Sequence, residues 1–168
     1  MNKIELLKAK RDGLKIKDDI NRFAKEGWES ISEEDIHRLK WYGLFLRNPT
    51  PGFFMLRVRI PNGFSSSHQV RALACIAEIY GNGVIDITTR QQVQLRHLKI
   101  ENIPQVFDLI EEMGLTTSQT GMDNVRNIMG CPVAGLNPKE RVDAYSLVKD
   151  LNEHILDNPE FSNLPRKF

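Results

Sequence analysis

Guanidinium and amide side chains recur at every second position in two stretches of this sequence. In DITTRQQVQLRHLKI, residues 86–100, an extended chain would carry Arg90, Gln92, Gln94 and Arg96 on one face, and Gln91, Val93, Leu95 and His97 on the other. In FFMLRVRIP, residues 53–61, Phe54, Leu56, Val58 and Ile60 would share one side, and Phe53, Met55, Arg57 and Arg59 the other. Arginine grips carboxylates in a bidentate fork, so a sheet face lined by these residues suits an anionic ligand with several carboxylates. A polar row alone is also the ordinary wet side of a sheet. Two arginines side by side on a second strand are something the sheet itself does not require. Arg126, in GMDNVRN with Asp123, Asn124 and Asn127, is either a third contributor or a turn arginine satisfied by local carbonyls. Lys167, near the end of the sequence, carries no signal by itself.

The elements that would position these residues follow from periodicity and punctuation. Residues 1–30 read as helical pieces, polar and surface-like, an arm rather than part of the core. Ser32-Glu33-Glu34-Asp35 is a variant capping box, so a helix should start near Ser32 and run through Ile36 and Leu39 toward Tyr42–Leu44. Asn48-Pro49-Thr50-Pro51-Gly52 forbids helix and predicts a rigid loop. The strand at 53–61 stops at Pro61-Asn62-Gly63. Ser65–Ser67 supply caps for a helix with Val70, Leu73, Ala74, Ala77 and Tyr80 on its stripe, which places Cys75 in the core as a small residue. Val84–Ile87 is strand-like, Thr88–Gln91 can turn the chain, and Gln92–Leu98 returns as a strand. Asn102 and Pro104 open a helix with Ile103, Val106, Phe107 and Ile110 as its stripe, ended by Gly114.

The order is β-α-β-β-α, completed if 116–120, TTSQT, supplies a last strand. That is an α+β, ferredoxin-like half-domain, with helices on the apolar face of an antiparallel sheet. The open face would then present Arg57, Arg59, Gln92, Gln94 and Arg96. Residues 121–138 form a long Gly- and Pro-rich loop, of a length that is functional or disordered in most compact chains. Arg141–Leu156 is expected to be helical, with Val142, Tyr145, Leu147, Val148, Leu151 and Ile155 apolar.

Bulk composition narrows the function classes. A chain of 168 residues, 40% hydrophobic, suits one globular domain or one domain and part of another. A net charge of +1 gives no global argument for nucleic acid or an anionic membrane. Two cysteines, Cys75 and Cys131, make neither a disulfide framework nor a zinc site, and His68 and His97 have no companion ligands. A reducing, cytoplasmic setting is the default reading, and no stretch is long and apolar enough to span a bilayer. The β-α-β-β-α-β order is shared with the RNA-recognition module, but that module stacks bases on sheet-face aromatics, which are absent from the 92–96 row. A non-catalytic ferredoxin-like binding module is the alternative of another class.

FFMLRVRIPNG, DITTRQQVQLR, GMDNVRN and NLPRKF, in this order and at these separations, resemble the sirohaem-dependent nitrite and sulfite reductases. KAKRDGLKIKDDI and GWESISEED…RLKWYGLFLRNPTPG resemble the ferredoxin-dependent nitrite reductase branch. The resemblance covers essentially the whole chain. It implies an N-terminal helical arm (1–47), a ferredoxin-like half-domain (48–120) and the beginning of the sirohaem/[4Fe–4S] reductase domain (121–168) of a longer enzyme.

By motif position it places Arg57, Arg126 and Lys167 around the open axial position of the sirohaem iron, where the substrate anion binds. It places Arg59, Arg90, Gln92, Gln94, Arg96 and Asn124 with the cofactor. The implied activity is six-electron reduction of nitrite to ammonia with ferredoxin as donor, the cofactor carrying the hard chemistry. Lys167 is the implied proton donor, because arginine stays protonated. Sulfite reduction is the alternative within the class, and a related cobalamin-pathway oxygenase a weaker one.

The sequence departs from the family in places. The two closely spaced cysteine pairs that hold a [4Fe–4S] cluster are absent, so those ligands are expected beyond Phe168. Gln92-Val93, His97 and Cys131 stand where other residues are common in the family. The 168 residues are therefore expected to be inactive alone, and to need the remainder of the enzyme chain.

Overall fold

The computed structural model describes residues 2–165. Six α-helices and four strands are ordered as α1 (Lys3–Lys10), α2 (Ile20–Glu26), α3 (Glu33–Leu39), β1 (Leu44–Arg47), β2 (Thr50–Val58), α4 (Ser67–Tyr80), β3 (Ile85–Ile87), β4 (Val93–Lys99), α5 (Ile103–Glu112) and α6 (Tyr145–Ile155). The strands form one antiparallel sheet in the order β1-β2-β4-β3.

Local signals explain most boundaries. The Ser32 side chain accepts from the Asp35 amide and starts α3. Ser66 and Gln69 make a reciprocal capping box at α4. Pro104 lies in the first turn of α5, and Gly114 follows it at φ +67°. The stripe Ile103, Val106, Phe107 and Ile110 packs with Leu73, Ile76 and Ala77 of α4 over Phe54, Leu56, Val58, Leu95 and Leu98. The α+β class and the helices on one sheet face are as the sequence predicts.

Several details differ. Residues 1–30 do not form a detached surface arm: Ile16, Ile20 and Phe23 are buried in the main core. The chain turns strand at Leu44, immediately after Gly43 adopts a left-handed φ of +72°, and pairs back on β2 across Asn48-Pro49. Thr50, Pro51 and Gly52 belong to β2 rather than to a loop. The expected strand at 116–120 is reduced to a single bridge, Arg59 with Thr116, although Thr117–Thr120 are all buried. Helix α4 is rotated from the expected stripe, so Ile76 faces inward and Cys75 and Val70 are exposed. Helix α6 begins at Tyr145 and buries only Val148 of its apolar positions, with Val142 left exposed before it.

Strand β4 contains one extra residue. Phe54 pairs with Leu98 while Leu56 pairs with Leu95, and His97 sits at φ +59°. This bulge lets Leu95 and Leu98 both enter the core and turns His97 outward, where strict alternation would have buried it.

Candidate anion-binding face

Strands β2, β4 and β3 set Arg57, Gln94 and Asp86 in one transverse row, Arg57 opposite Gln94 and Gln94 opposite Asp86. Arg57 is half-buried. Its guanidinium stacks 4.8 Å from the Phe45 ring centroid on β1 and donates from Nη1 to the Thr120 carbonyl at 3.0 Å. Its Nε is buried without a hydrogen-bond partner among the described residues. Burial holds the Arg57 pKa below its ordinary value, and the charges of Arg126, Arg90 and Arg96 push it the same way. Arginines from the 121–130 loop, the 88–91 turn and β4 therefore all act on the Arg57 guanidinium of β2. Among the described residues Arg96 alone of the four is paired with a carboxylate, through its Nε to Asp86 Oδ2 on β3. Both groups of that pair are partly exposed, so the pair adds little stability.

The loop carrying Arg126 is fastened by amide and guanidinium side chains that bond backbone groups of the loop and of the segments flanking β2 and β4. Gln92, 1% exposed, donates from Nε2 to the Arg126 carbonyl at 2.8 Å. Asn127 donates from Nδ2 to the carbonyls of Ile60 and Arg90, at 2.9 and 2.8 Å. Gln91 and Gly130 exchange two hydrogen bonds. Arg59, also 1% exposed, donates to Asn152 Oδ1 on α6 at 2.6 Å and to the carbonyls of Val125 and Arg126 at 2.8 and 2.9 Å. Burial pushes its guanidinium down to about 10.

These contacts correct two sequence-based expectations. Arg59 and Gln92 do not line the open face with Arg57; they lie beneath the 121–130 loop and hold it. The reason is that the loop folds back across this end of the sheet, which the alternation of strand residues cannot reveal. Arg57, Arg90, Gln94, Arg96 and Arg126 are brought to the face. Asn124 is buried in the same loop as Arg126, donating to the Gly121 carbonyl at 2.6 Å, and its Oδ1 has no partner among the described residues. Lys167 lies outside the described residues. Asn127 and Gln91 were not singled out beforehand. Their only sequence signal is an amide-rich composition at the two turns.

Residues 47–113 match the model of the nitrite/sulfite reductase ferredoxin-like half domain, and residues 121–168 that of the nitrite and sulphite reductase 4Fe-4S domain. The chain belongs to the nitrite and sulfite reductase family. It is 50% identical to a ferredoxin–nitrite reductase of Leptolyngbya laminosa over 100% of this chain and 34% of that protein. It is 36% identical to the assimilatory ferredoxin-dependent nitrite reductase of Haloferax mediterranei, over 99% of this chain and 31% of that protein. The structure of the Mycobacterium tuberculosis NirA protein superposes with a TM-score of 0.90 at 29% identity, covering 96% of this chain and 33% of that one. The chain thus spans about a third of the length of the curated relatives it matches.

Gly43 supports Arg57 from below. Arg57 donates its amide to the Gly43 carbonyl at 2.9 Å. A Cβ on Gly43 would lie 2.6 Å from the Arg57 carbonyl oxygen and 2.4 Å from Thr120 Oγ1, at a φ of +72°. Gly43→Ala is expected to lower stability by roughly 2 kcal/mol through backbone strain and this clash. A urea titration measures it, and an unchanged midpoint would show that β1 can shift without cost.

Proposed function

We propose that this chain supplies part of the substrate-anion and sirohaem site of a ferredoxin-dependent nitrite reductase, whose complete form reduces nitrite to ammonia. The observation that carries the reading is the clustering of Arg57, Arg90, Arg96 and Arg126 at one face where, among the described residues, Asp86 is the one carboxylate paired with them and the Arg57 Nε has no partner. Uncompensated guanidiniums at close quarters are costly unless an anion joins them. A tetrapyrrole bearing several carboxylates fits this donor set, with Arg90, Arg96 and Gln94 as its holders and Asn124 beside them.

The fit does not extend to an iron–sulfur cluster within this chain. Cys75 lies on α4 and Cys131 in the 121–138 loop, both exposed, and no group of metal-ligating side chains comes together among the described residues. The cluster ligands belong to the rest of the enzyme in this reading.

Sirohaem, when bound, supplies electrons to the substrate nitrogen. Arg57 and Arg126 hold the anion and stabilise charge that develops on its oxygens. A guanidinium is a poor proton source in general, so the proton supply is assigned to a lysine. Lys167, by its place in the NLPRKF motif, is the proton donor. The hydrogen-bonded fastenings of the 121–130 loop keep Arg126 in place without a partner carboxylate that would compete with substrate.

The test is a steady-state assay of the complete enzyme carrying this chain, with reduced ferredoxin as donor and with nitrite or sulfite as substrate. Ammonia formation with nitrite preferred supports the reading. Preference for sulfite moves the chain to the sulfite branch of the same family. Turnover of neither overturns the proposal.

A further inference from the structure

We propose that Lys8 is a positioning residue for this site: its ammonium ties the loop carrying Arg126 to the segment that leads into Lys167. The inference rests on the reading of the arginine face given above. Lys8 sits on α1 and is 5% exposed. Its Nζ donates to Asp123 Oδ2 at 3.2 Å and to the Leu164 carbonyl at 2.8 Å, with Glu5 Oε1 also at 2.8 Å. The Leu164 amide in turn donates to the Asp123 carbonyl at 3.0 Å. Lys8, Asp123 and Leu164 therefore close a triangle of hydrogen bonds across three stretches of chain that are distant in sequence.

A second contact seats the same segment on the N-terminal region. Trp41 is fully buried and donates its indole N–H to the Ser162 carbonyl at 2.7 Å. Gly13 lies so close under that indole that a Cβ would come within 2.1 Å of the ring. Asp123 opens the part of the GMDNVRN motif that ends in Arg126, and Leu164 stands just before Lys167. The loop that carries Arg126 and the segment through Leu164 thus meet at one lysine.

A buried lysine is an expensive fastener, because its charge must be desolvated and its long stem ordered. Apolar packing would serve stability alone at least as well. An ammonium offers several donors at one point, and here they reach acceptors on separate segments. That is a geometric role, and it separates from stability by experiment.

In the complete enzyme, Lys8→Met removes a cation from beside two carboxylates, and the double variant Lys8→Met with Asp123→Asn also removes the buried negative charge. Three quantities decide: the melting temperature, hydrogen exchange of peptides covering 122–128 and 160–165, and nitrite affinity from optical titration. A positioning role predicts that the double variant regains the melting temperature lost in Lys8→Met. It also predicts faster exchange in both peptides and nitrite binding weaker by about 10-fold or more in the two variants alike. Recovery of affinity along with melting temperature in the double variant would reduce Lys8 to a structural residue and overturn the proposal. So would a Leu164 amide that exchanges freely in the unaltered enzyme, a result that needs no variant to fold. If the unaltered enzyme binds neither nitrite nor sulfite, the functional reading fails by itself, and the exchange data still decide whether the tie exists.

Discussion

Replacing Arg57 by methionine in the complete enzyme lowers kcat/KM for nitrite by about 10²- to 10³-fold, the usual cost of removing a preorganised charge aimed at a developing oxyanion. The fold loses little in comparison. The Arg57 side chain contributes one hydrogen bond, to the Thr120 carbonyl, and a stack on Phe45. Methionine retains most of the apolar contact over the ring, so the melting temperature should fall by only a few degrees, equivalent to about 1 kcal/mol. Arg57→Lys keeps the charge but not the planar fork, and it lacks an Nε–H beside the anion, so it should recover only part of the rate. The unpartnered Nε is the group expected to be filled when substrate binds. An Arg57→Met enzyme with unchanged kcat/KM would show that the anion sits elsewhere and that the clustering of arginines serves only the tetrapyrrole.

The legibility of this site in the sequence was uneven, for reasons that trace to particular residues. Alternation in the 53–61 and 86–100 stretches correctly separated Leu56, Val58 and Leu95 from Arg57, Gln94 and Arg96, because a half-buried sheet writes its two faces as odd and even positions. The same rule misplaced His97, since a single extra residue in β4 reverses the parity, and nothing in RHL announces a bulge. It misplaced Arg59 and Gln92 because a strand pattern says which face a residue takes but not what later chain covers that face. The loop that buries them arrives from 119–130, held by hydrogen bonds to backbone carbonyls, and backbone acceptors leave no mark on composition. The N-terminal region was misjudged for another reason. Ile16, Ile20 and Phe23 are spread through short helical turns rather than one long amphipathic helix, so no clear periodicity identified them as core. Lys8 was invisible in the same way: in LLKAK nothing distinguishes it from the exposed Lys10.

Arg59→Met separates the two roles that sequence and structure assign to this arginine. A cofactor contact predicts weaker sirohaem retention with little effect on the fold. The observed contacts predict a fold defect first. Burying the guanidinium has a cost: its pKa is pushed down to about 10, which corresponds to roughly 3 kcal/mol. Against that stand three short charge-assisted hydrogen bonds, to Asn152 Oδ1, the Val125 carbonyl and the Arg126 carbonyl, at roughly 1.5–3 kcal/mol each. The bonds outweigh the desolvation, and methionine also takes this donor from Asn152 Oδ1 and the Val125 carbonyl. The expected loss is therefore roughly 2–5 kcal/mol, read from urea denaturation monitored by circular dichroism. Arg59→Lys should recover little of it, because one ammonium cannot reproduce the fork that spans α6 and the Val125-Arg126 backbone. The functional defect should follow from the structural one: release of the Arg126 carbonyl lets the loop drift, leaving Gln92 as its remaining tie at that point. A stable Arg59→Met protein that has lost sirohaem would return Arg59 to the cofactor-binding face. It would also mean that the carbonyls of Val125 and Arg126 are satisfied by other donors when the guanidinium is gone.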